Sequence, residues 1–291
     1  LMHGSEGMLG IVVEVTVKLL PLPVEVAVLL AAFTDVGQAA DAVGQIIDHG
    51  LIPAGLEMMD KLAVQAAEAF VHADYPLDAA AILICELDGS SVEIEQQQAL
   101  LTQVLLEAGA VQVRCAKDAE ERRKLWLGRK AAFPAVGRLA PDYYCMDGTI
   151  PRRELASVLS RITDFSQTHG LAVANVFHAG DGNLHPLILY DANQPGQLER
   201  AEAFGADILR LCIERGGTIT GEHGVGVEKI NEMCVQFSAD ELSVFHGVKA
   251  AFDEQGGLNP GKAIPTLQRC AEFGAMHVHR GQEKFAELER F

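Results

Sequence analysis

The sequence predicts an α+β fold, in which helices cover one face of a largely antiparallel sheet built from ferredoxin-like units. Apolar runs of strand length alternate with segments of helical periodicity along most of the chain. A strong two-residue turn signal, Asp181-Gly182, separates two of these runs and indicates a hairpin. No G-x-G-x-x-G motif follows a predicted strand and there is no P-loop motif, so a doubly wound parallel sheet is the second choice.

The individual elements follow from their apolar patterns and their end signals. Residues 79–87 form a continuous apolar run, which is typical of a central strand. Pro151 stands in the first turn of one predicted helix, and Gly216 ends another. Ser238 and Glu241 have the spacing of a capping box at the start of a third. The predicted strands cover 10–19, 24–33, 56–59, 79–87, 111–115, 143–150, 171–177 and 187–190, and the predicted helices cover 36–49, 61–71, 92–108, 119–136, 151–169, 198–215 and 238–252.

The composition of the 291-residue chain excludes several classes of protein. A formal net charge of −17 argues against nucleic-acid binding, which needs a basic surface, and against binding to anionic membranes. Hydrophobic residues make up 49%, enough for a large core, yet no apolar run reaches the roughly 18–20 residues of a membrane span. The six cysteines form no CxxC pair, which favours reduced thiols in a cytosolic protein and argues against an iron–sulfur cluster.

Two histidines flank the predicted hairpin turn and are the strongest functional signal in the chain. With Asp181 and Gly182 at the turn, His178 directly faces His185 across the antiparallel pair. Opposed Cβ atoms lie roughly 4.5–5.5 Å apart, so both imidazoles can bind one metal ion. The alternative is a pair of hydrogen-bonded histidines that stiffens the hairpin.

A second polar cluster, Gly221-Glu222-His223-Gly224, places a carboxylate beside an imidazole between glycines. Adjacent residues of an extended segment point to opposite sides. Glu222 can therefore complete a two-histidine, one-carboxylate metal site while His223 faces another part of the same pocket. Three protein ligands leave one coordination position open, as in catalytic metal sites.

Two further features admit functional readings. Arg129 lies late in a predicted helix, where its guanidinium could bind a substrate carboxylate through two N–H groups. The alternative is that Arg129 lies on a solvent-exposed face of the helix or complements the dipole at its C-terminus. His277 and His279 lie on one face of an extended segment near the end of the chain, which we interpret as a tail or partner surface.

Four motifs together resemble the FAD-linked 2-hydroxyacid oxidases and dehydrogenases of the vanillyl-alcohol-oxidase group. They are GSEGMLGIV at 4–12, HAGDGNLH at 178–185, GEHGVG at 221–226 and LNPGK at 258–262. Three further segments, 129–135, 141–153 and 269–279, are similar to the branch of this family that oxidises glycolate. The resemblance covers essentially the whole chain.

The resemblance implies a division of the chain into three parts. Residues 1–23 would be the last strand of a truncated FAD-binding domain, 24–230 the substrate (cap) domain, and 231–291 a helical segment that returns to the flavin. Leu1 in place of an initiating Met agrees with the C-terminal piece of a longer protein. The residues implied to contact FAD are Gly4, Ser5, Gly7, Gly10, Ile11, Asn259 and Lys262.

The resemblance also implies a reaction. A zinc, iron or manganese ion held by His178, His185 and Glu222 would polarise a small 2-hydroxyacid. Arg129 would bind the substrate carboxylate, and His223 would take the hydroxyl proton. Hydride transfer to FAD would then convert glycolate to glyoxylate.

The implied surroundings of the protein are those of a multisubunit complex. Electrons would leave through companion flavin-type and iron–sulfur subunits. The protein would be cytoplasmic, with attachment to the inner membrane only through those subunits. A chain without most of the FAD domain would be inactive alone.

One departure from the family bears on the substrate. Some relatives carry a basic substrate ligand just before the residue that matches Asp147, where this chain has Cys145-Met146. The implied substrate is therefore small, and a dicarboxylate such as 2-hydroxyglutarate is disfavoured. Two other functions remain open: a metal-dependent hydrolase without flavin, and a metal-free interaction module of a multisubunit complex. The flavin motifs separate the family reading from a hydrolase, and a bound metal would separate both from an interaction module.

Overall fold

The computed structural model describes residues 1–266 and Cys270. These residues fall into two compact units, Leu20–Gly221 and Leu1–Leu19 together with the chain from Glu222 onward, and each is described by itself. The pair His277 and His279 lies outside the described residues, as does most of the final part of the segment 231–291. The three-part division implied by the family resemblance stays a prediction.

The larger unit alternates strands and helices along the chain. Its strands are β1 (Glu25–Phe33), β2 (Gly55–Asp60), β3 (Ala81–Gly89), β4 (Gln112–Cys115), β5 (Asp142–Cys145), β6 (Gly148–Thr149), β7 (Val173–Phe177), β8 (Asn183–Leu184) and β9 (Pro186–Tyr190). Its helices are α1 (Val36–Asp48), α2 (Lys61–Val71), α3 (Ser91–Glu107), α4 (Ala119–Lys130), α5 (Ala132–Val136), α6 (Leu155–His169) and α7 (Gln197–Glu214), and Arg152–Glu154 form a 3-10 turn. The predicted elements of this unit are confirmed with small shifts at their ends, except that the helix over 119–136 and the strand over 143–150 are each divided in two.

The sheet of the larger unit is antiparallel, as the α+β prediction requires. Seven strands lie in the order β4-β1-β3-β2-β7-β9-β5, and β6 pairs with β8 in a separate two-stranded sheet. Every pairing between named strands is antiparallel. The first four strands have the arrangement of a ferredoxin-like unit, with α2 inserted between β2 and β3.

Helices cover both faces of this sheet, so the prediction of helices on one face is wrong. On β1, Leu29 and Phe33 pack in one core, whereas Val28 and Leu30 pack in the other. Side chains alternate across a strand, so a strand that is apolar at nearly every position must bury both faces. Helices α1, α3, α6 and α7 cover the first face, and α2, α4 and α5 cover the second.

The smaller unit consists of turns and the helices α8 (Ile230–Gln236) and α9 (Ala239–Phe252). The capping box of Ser238 and Glu241 at the start of α9 is confirmed, whereas α8 was not predicted. Residues 11–19 are in neither helix nor strand, so the strand predicted over 10–19 is absent from the described part of the chain. A strand needs a neighbouring backbone to bond with, and no described strand pairs with this segment.

A disulfide joins Cys234 to Cys270, which contradicts the expectation that all six cysteines are reduced. The pair is separated by 36 residues, so no spacing motif signals it. Cys85, Cys115, Cys145 and Cys212 are thiols that take part in no disulfide. Among the described helices, none combines the length and the apolar composition that crossing a membrane requires.

Candidate functional site

The two histidines lie on the same side of the hairpin, although they do not oppose each other directly. The bridge beyond the end of β7 joins His178 to Asn183, so the predicted pairing of His178 with His185 is wrong by two residues. Strand side chains alternate with a period of two, and a shift of two residues keeps both imidazoles on one side. Their ring centroids are 5.1 Å apart and the ring planes meet at 82°.

The turn of this hairpin is longer than predicted because it is bonded to a neighbouring strand. The Gly180 N–H donates to the Leu56 carbonyl of β2 over 2.9 Å, which draws residues 179–182 into one four-residue turn. Gly182 has a φ of +71°, and a Cβ there would lie 2.1 Å from the Ile150 carbonyl oxygen. Glycine is required at this position. The Asp181-Gly182 signal therefore predicts the place of the turn correctly but not its length.

A buried ion pair supports His178. Its Nδ1 lies 2.8 Å from Oε1 of Glu57 on β2. Arg129, in the last turn of α4, donates from Nε to Oε2 of Glu57 over 2.9 Å, and its Nη2 lies 2.8 Å from the same oxygen. Both Glu57 and Arg129 are buried. A carboxylate at Nδ1 selects the tautomer protonated there, so Nε2 is the nitrogen that His178 presents to a metal.

Arg129 was predicted to bind the substrate carboxylate, and that role stays a prediction. The structure shows that it is not on a solvated helix face, because its residue is 7% exposed and its guanidinium engages Glu57. Glu57 itself was missed. The signal for it is a single carboxylate inside the otherwise apolar strand Leu56-Glu57-Met58-Met59, since a buried charge needs a specific partner.

Packing and a buried carboxylate surround His185, which is 2% exposed. The edge of its ring meets Phe133 at a centroid distance of 5.7 Å. Its Nε2 lies 3.6 Å from Oδ1 of Asp147. Oδ2 of Asp147 accepts hydrogen bonds from the Thr220 hydroxyl at 2.7 Å and the Gly221 N–H at 3.0 Å. Asp147 was not predicted as a site residue, because in the sequence it is one of many isolated aspartates.

The side chains of this cluster are chemically suited to a divalent cation. His178 and His185 offer imidazole nitrogens, and Asp147 adds a carboxylate beside the second ring. Imidazole and carboxylate together are ligands of zinc, iron and manganese. The residues of the larger unit therefore fit a metal of the predicted kind, and the metal ligand roles stay predictions.

Glu222 and His223 belong to the smaller unit and lie in a turn rather than an extended segment. Their side chains do not diverge as predicted, because Nε2 of His223 is 3.6 Å from Oε1 of Glu222. Left-handed glycines follow, with φ of +86° at Gly224 and +55° at Gly226. Both side chains are about half exposed. A carboxylate at this distance can stabilise an imidazolium once His223 has taken a proton.

The glycine-rich motifs of the smaller unit meet at Glu6, a residue that was not predicted. Its carboxylate accepts from the N–H groups of Val225 at 2.7 Å and Gly226 at 2.8 Å. Its carbonyl accepts a hydrogen bond from Nδ2 of Asn259. A Cβ added to Gly7 would lie 4.0 Å from the Cβ of Asn259. The segments 4–12, 222–226 and 258–262 are thus held together within the smaller unit.

The predicted FAD contacts lie in and around this cluster. Gly4 and Gly7 have φ of +75° and +73°, and the space where Gly4 would carry a Cβ is open. Ser5 is turned inward, and its hydroxyl donates to the Met2 carbonyl at 2.9 Å. Glycine lets a ligand approach the backbone closely, and the FAD contacts of these residues stay predictions. The remaining predicted contacts are Gly10 and Ile11 after this loop, and Asn259 and Lys262 in the last motif.

Residues 22–263 match the family described as FAD linked oxidases, C-terminal domain. The chain belongs to this family. Within it, the chain is 63% identical to the glycolate oxidase subunit GlcD of Escherichia coli over 291 residues, which is 100% of this chain and 58% of that protein. Identity to the GlcD subunit of Bacillus subtilis is 38% over 259 residues, covering 89% of this chain and 55% of that protein. This FAD-oxidase chain therefore spans somewhat more than half the length of these relatives.

Two solved enzyme structures share the fold of this FAD-oxidase chain. A p-cresol methylhydroxylase with substrate bound aligns with a TM-score of 0.65 at 14% identity, covering 85% of this chain and 54% of that one. The 4-ethylphenol oxidase of Gulosibacter chungangensis aligns with a TM-score of 0.66 at 17% identity, covering 86% and 56%. The predicted fold class, α+β with a largely antiparallel sheet covered by helices, and the predicted family membership are both confirmed.

Proposed function

We propose that this chain is the substrate-side part of an FAD-dependent dehydrogenase that converts glycolate to glyoxylate. The observation that carries this proposal is the 63% identity to a glycolate oxidase subunit over all 291 residues. The alternatives of a flavin-free hydrolase and an interaction module gain nothing from the comparisons, which lie among FAD-linked oxidases.

The proposal includes a divalent zinc, iron or manganese ion on His178 and His185, with Glu222 as the third ligand predicted from the sequence. Such an ion would polarise the substrate oxygen and ease removal of its proton. The contact between Nδ1 of His178 and the Glu57 carboxylate supports this role, because metal-binding histidines commonly donate the hydrogen of their other ring nitrogen to a carboxylate.

The chain's own residues have defined tasks in this reaction. His223 accepts the hydroxyl proton, and the Glu222 carboxylate 3.6 Å away stabilises the resulting imidazolium. Arg129 attracts the substrate carboxylate toward the histidines, while the family's FAD is the hydride acceptor. Met146 supports a small substrate, because this buried side chain stands just before Asp147 where a cation would be needed for a second carboxylate.

The proposed setting is a complex with companion flavin-type and iron–sulfur subunits in the cytoplasm, attached to the inner membrane through those subunits. The name of the relatives, a glycolate oxidase subunit, supports a multisubunit assembly. The chain alone is proposed to be inactive, because it covers only 58% of the length of the Escherichia coli relative.

The test is anaerobic reduction of FAD by glycolate in the full-length protein, with glyoxylate as the measured product. His223→Ala should lower the rate of flavin reduction by about 10²–10⁴-fold without changing flavin content, because general-base catalysis contributes on that order. His49→Ala, an exposed histidine at the end of α1, serves as the control and should leave the rate unchanged. A parent protein that binds FAD but is not reduced by glycolate would exclude the proposed activity, and near-parental reduction in His223→Ala would remove His223 from the base role.

A further inference from the structure

We propose that Glu57 is a positioning residue for metal binding, which fixes the ring of His178 and is itself fixed by Arg129. The inference rests on the proposed metal site and names a residue outside the predicted ligand set. Three observations support it: the pairing of β2 with β7, the separate partners of the two carboxylate oxygens, and the burial of Glu57 and Arg129.

The register of the two strands places Glu57 directly opposite His178. β2 pairs with β7 so that Met58 opposes Phe177 and Met59 opposes Val176. One further step along the same antiparallel register sets Glu57 opposite His178. Opposed residues have Cβ atoms roughly 4.5–5.5 Å apart, which a glutamate and a histidine bridge without strain. The strand pairing therefore brings the carboxylate to Nδ1 before any ligand is present.

Each oxygen of the Glu57 carboxylate has a separate partner. Oε1 is 2.8 Å from Nδ1 of His178, and Oε2 takes the Nε–H of Arg129 at 2.9 Å. Nη2 of Arg129 lies 2.8 Å from the same Oε2, so the guanidinium adds its charge to the Nε–H hydrogen bond that sets the direction of the carboxylate. His178 consequently has a preferred tautomer and a preferred ring direction.

Burial makes this arrangement specific. The side chains of Glu57 and Arg129 are 11% and 8% exposed, whereas that of His178 is 33% exposed. Water competes little for the ion pair, while the ring at its outer end remains accessible to a ligand. A purely structural role would be to tie α4 to the sheet, and that role predicts a loss of stability with no change in metal binding.

Another glutamate supplies a matched control for the structural role. Glu86 on β3 accepts a hydrogen bond from Nε1 of Trp126, so it also ties α4 to the sheet, and no contact to His178 is seen among the described residues. Glu86→Gln thus perturbs the same helix–sheet junction without touching the histidine. Any effect that it shares with Glu57→Gln is structural.

The test uses the purified full-length protein, stripped of metal and titrated with Zn²⁺ against a chromophoric chelator. Glu57→Gln should lower Zn²⁺ affinity by about 10–100-fold, the usual effect of losing a carboxylate that hydrogen-bonds to a metal-binding histidine. Glu57→Asp keeps the charge but is one methylene shorter, and should show a smaller loss. Glu86→Gln should retain the parental affinity. Substitution with Co²⁺ gives a second measurement, because its absorption bands report ligand geometry, and only the Glu57 variants should shift them.

The outcomes separate this inference from the proposed function. A parent protein that binds no Zn²⁺ would overturn the metal site and this role of Glu57 together. A parent that binds Zn²⁺, with Glu57→Gln matching it in affinity and in the Co²⁺ spectrum, would overturn the positioning role alone. If Glu57→Gln does not fold, Glu57→Asp decides, since parental affinity and spectrum in that variant would also exclude the role.

Discussion

His178 and His185 sit on the same side of one hairpin, yet they are held by different means. His178 is a third exposed and contacts Glu57 of β2, which forms a buried ion pair with Arg129 of α4. His185 is buried, packed against Phe133, with a carboxylate oxygen of Asp147 at 3.6 Å. The difference indicates that the orientation of the His178 ring is set mainly by its contact with a charged group, whereas that of the His185 ring is set mainly by packing. Substitutions on the two sides should therefore affect stability and metal binding in different proportions.

Arg129→Ala should have the largest effect on the free energy of unfolding, because it removes the ion pair that holds His178. It removes the guanidinium and leaves the Glu57 carboxylate buried without its cation. Breaking one half of a buried pair lowers the free energy of unfolding by about 3–5 kcal/mol. Urea denaturation measures this change. Lys130→Ala, at an exposed neighbouring position, is the control and should change stability by less than about 0.5 kcal/mol. A loss below about 1 kcal/mol for Arg129→Ala would mean that the ion pair contributes little to holding His178.

Replacing each histidine in turn sharpens the comparison. His185→Ala should lower the unfolding free energy of the metal-free protein by about 2–3 kcal/mol, because it opens a cavity beside Phe133 and Asp147. His178→Ala should lower it by less than about 1 kcal/mol, since that ring is partly exposed. Elemental analysis of the full-length protein should show that both variants lose the bound metal. Metal retained in His178→Ala, or equal losses of stability, would show that the two rings are not divided in this way.

Local signals explain why the elements were predictable. Helix α2 begins and ends where its apolar pattern predicts, with Asp60 accepting the Ala63 N–H as N-cap. The capping box at Ser238 was predicted from two residues three apart. The covering of both sheet faces was not predicted, because it depends on which helices pack on each side. Helix α8 was missed because it has only seven residues and no side-chain cap.

The position of the two histidines on one side of the hairpin was predictable, but the residues that contact them were not. The histidines were found because they flank a turn signal, and a register error of two residues preserved their shared side. Glu57 and Arg129 are 72 residues apart, and Asp147 and Thr220 are 73 apart, so no window of sequence contains either pair. Only the fold brings such partners together. Glu6 was missed for the same reason, as its carboxylate bonds to residues more than 200 positions away.

The smallest predicted effect concerns pH and tests whether carboxylates of β2 anchor the strand that leads to His178. Asp60 ends β2, and its Oδ2 accepts hydrogen bonds from the N–H and Nδ2 of Asn175 on β7, both at 2.8 Å. Burial raises the pKa of Asp60 from 3.8 to about 6. Asp60 therefore takes up a proton near pH 6 in the folded protein, whereas in the unfolded chain it does so only near its ordinary pKa of 3.8. The cost of the buried charge is therefore fully present above about pH 6 and is relieved as the pH falls toward 4.

Comparison with Asp60→Asn isolates this contribution from those of all other titrating groups. Between about pH 7 and about pH 4.5, the parent should gain roughly 1–2 kcal/mol of unfolding free energy relative to the variant. Urea denaturation of the metal-free proteins at several pH values measures the difference. If the difference in unfolding free energy between parent and Asp60→Asn stays constant across this range, Asp60 has the same pKa in the folded and unfolded states. In that case β7 is held by its backbone pairing with β2 and not by the charge at the end of β2.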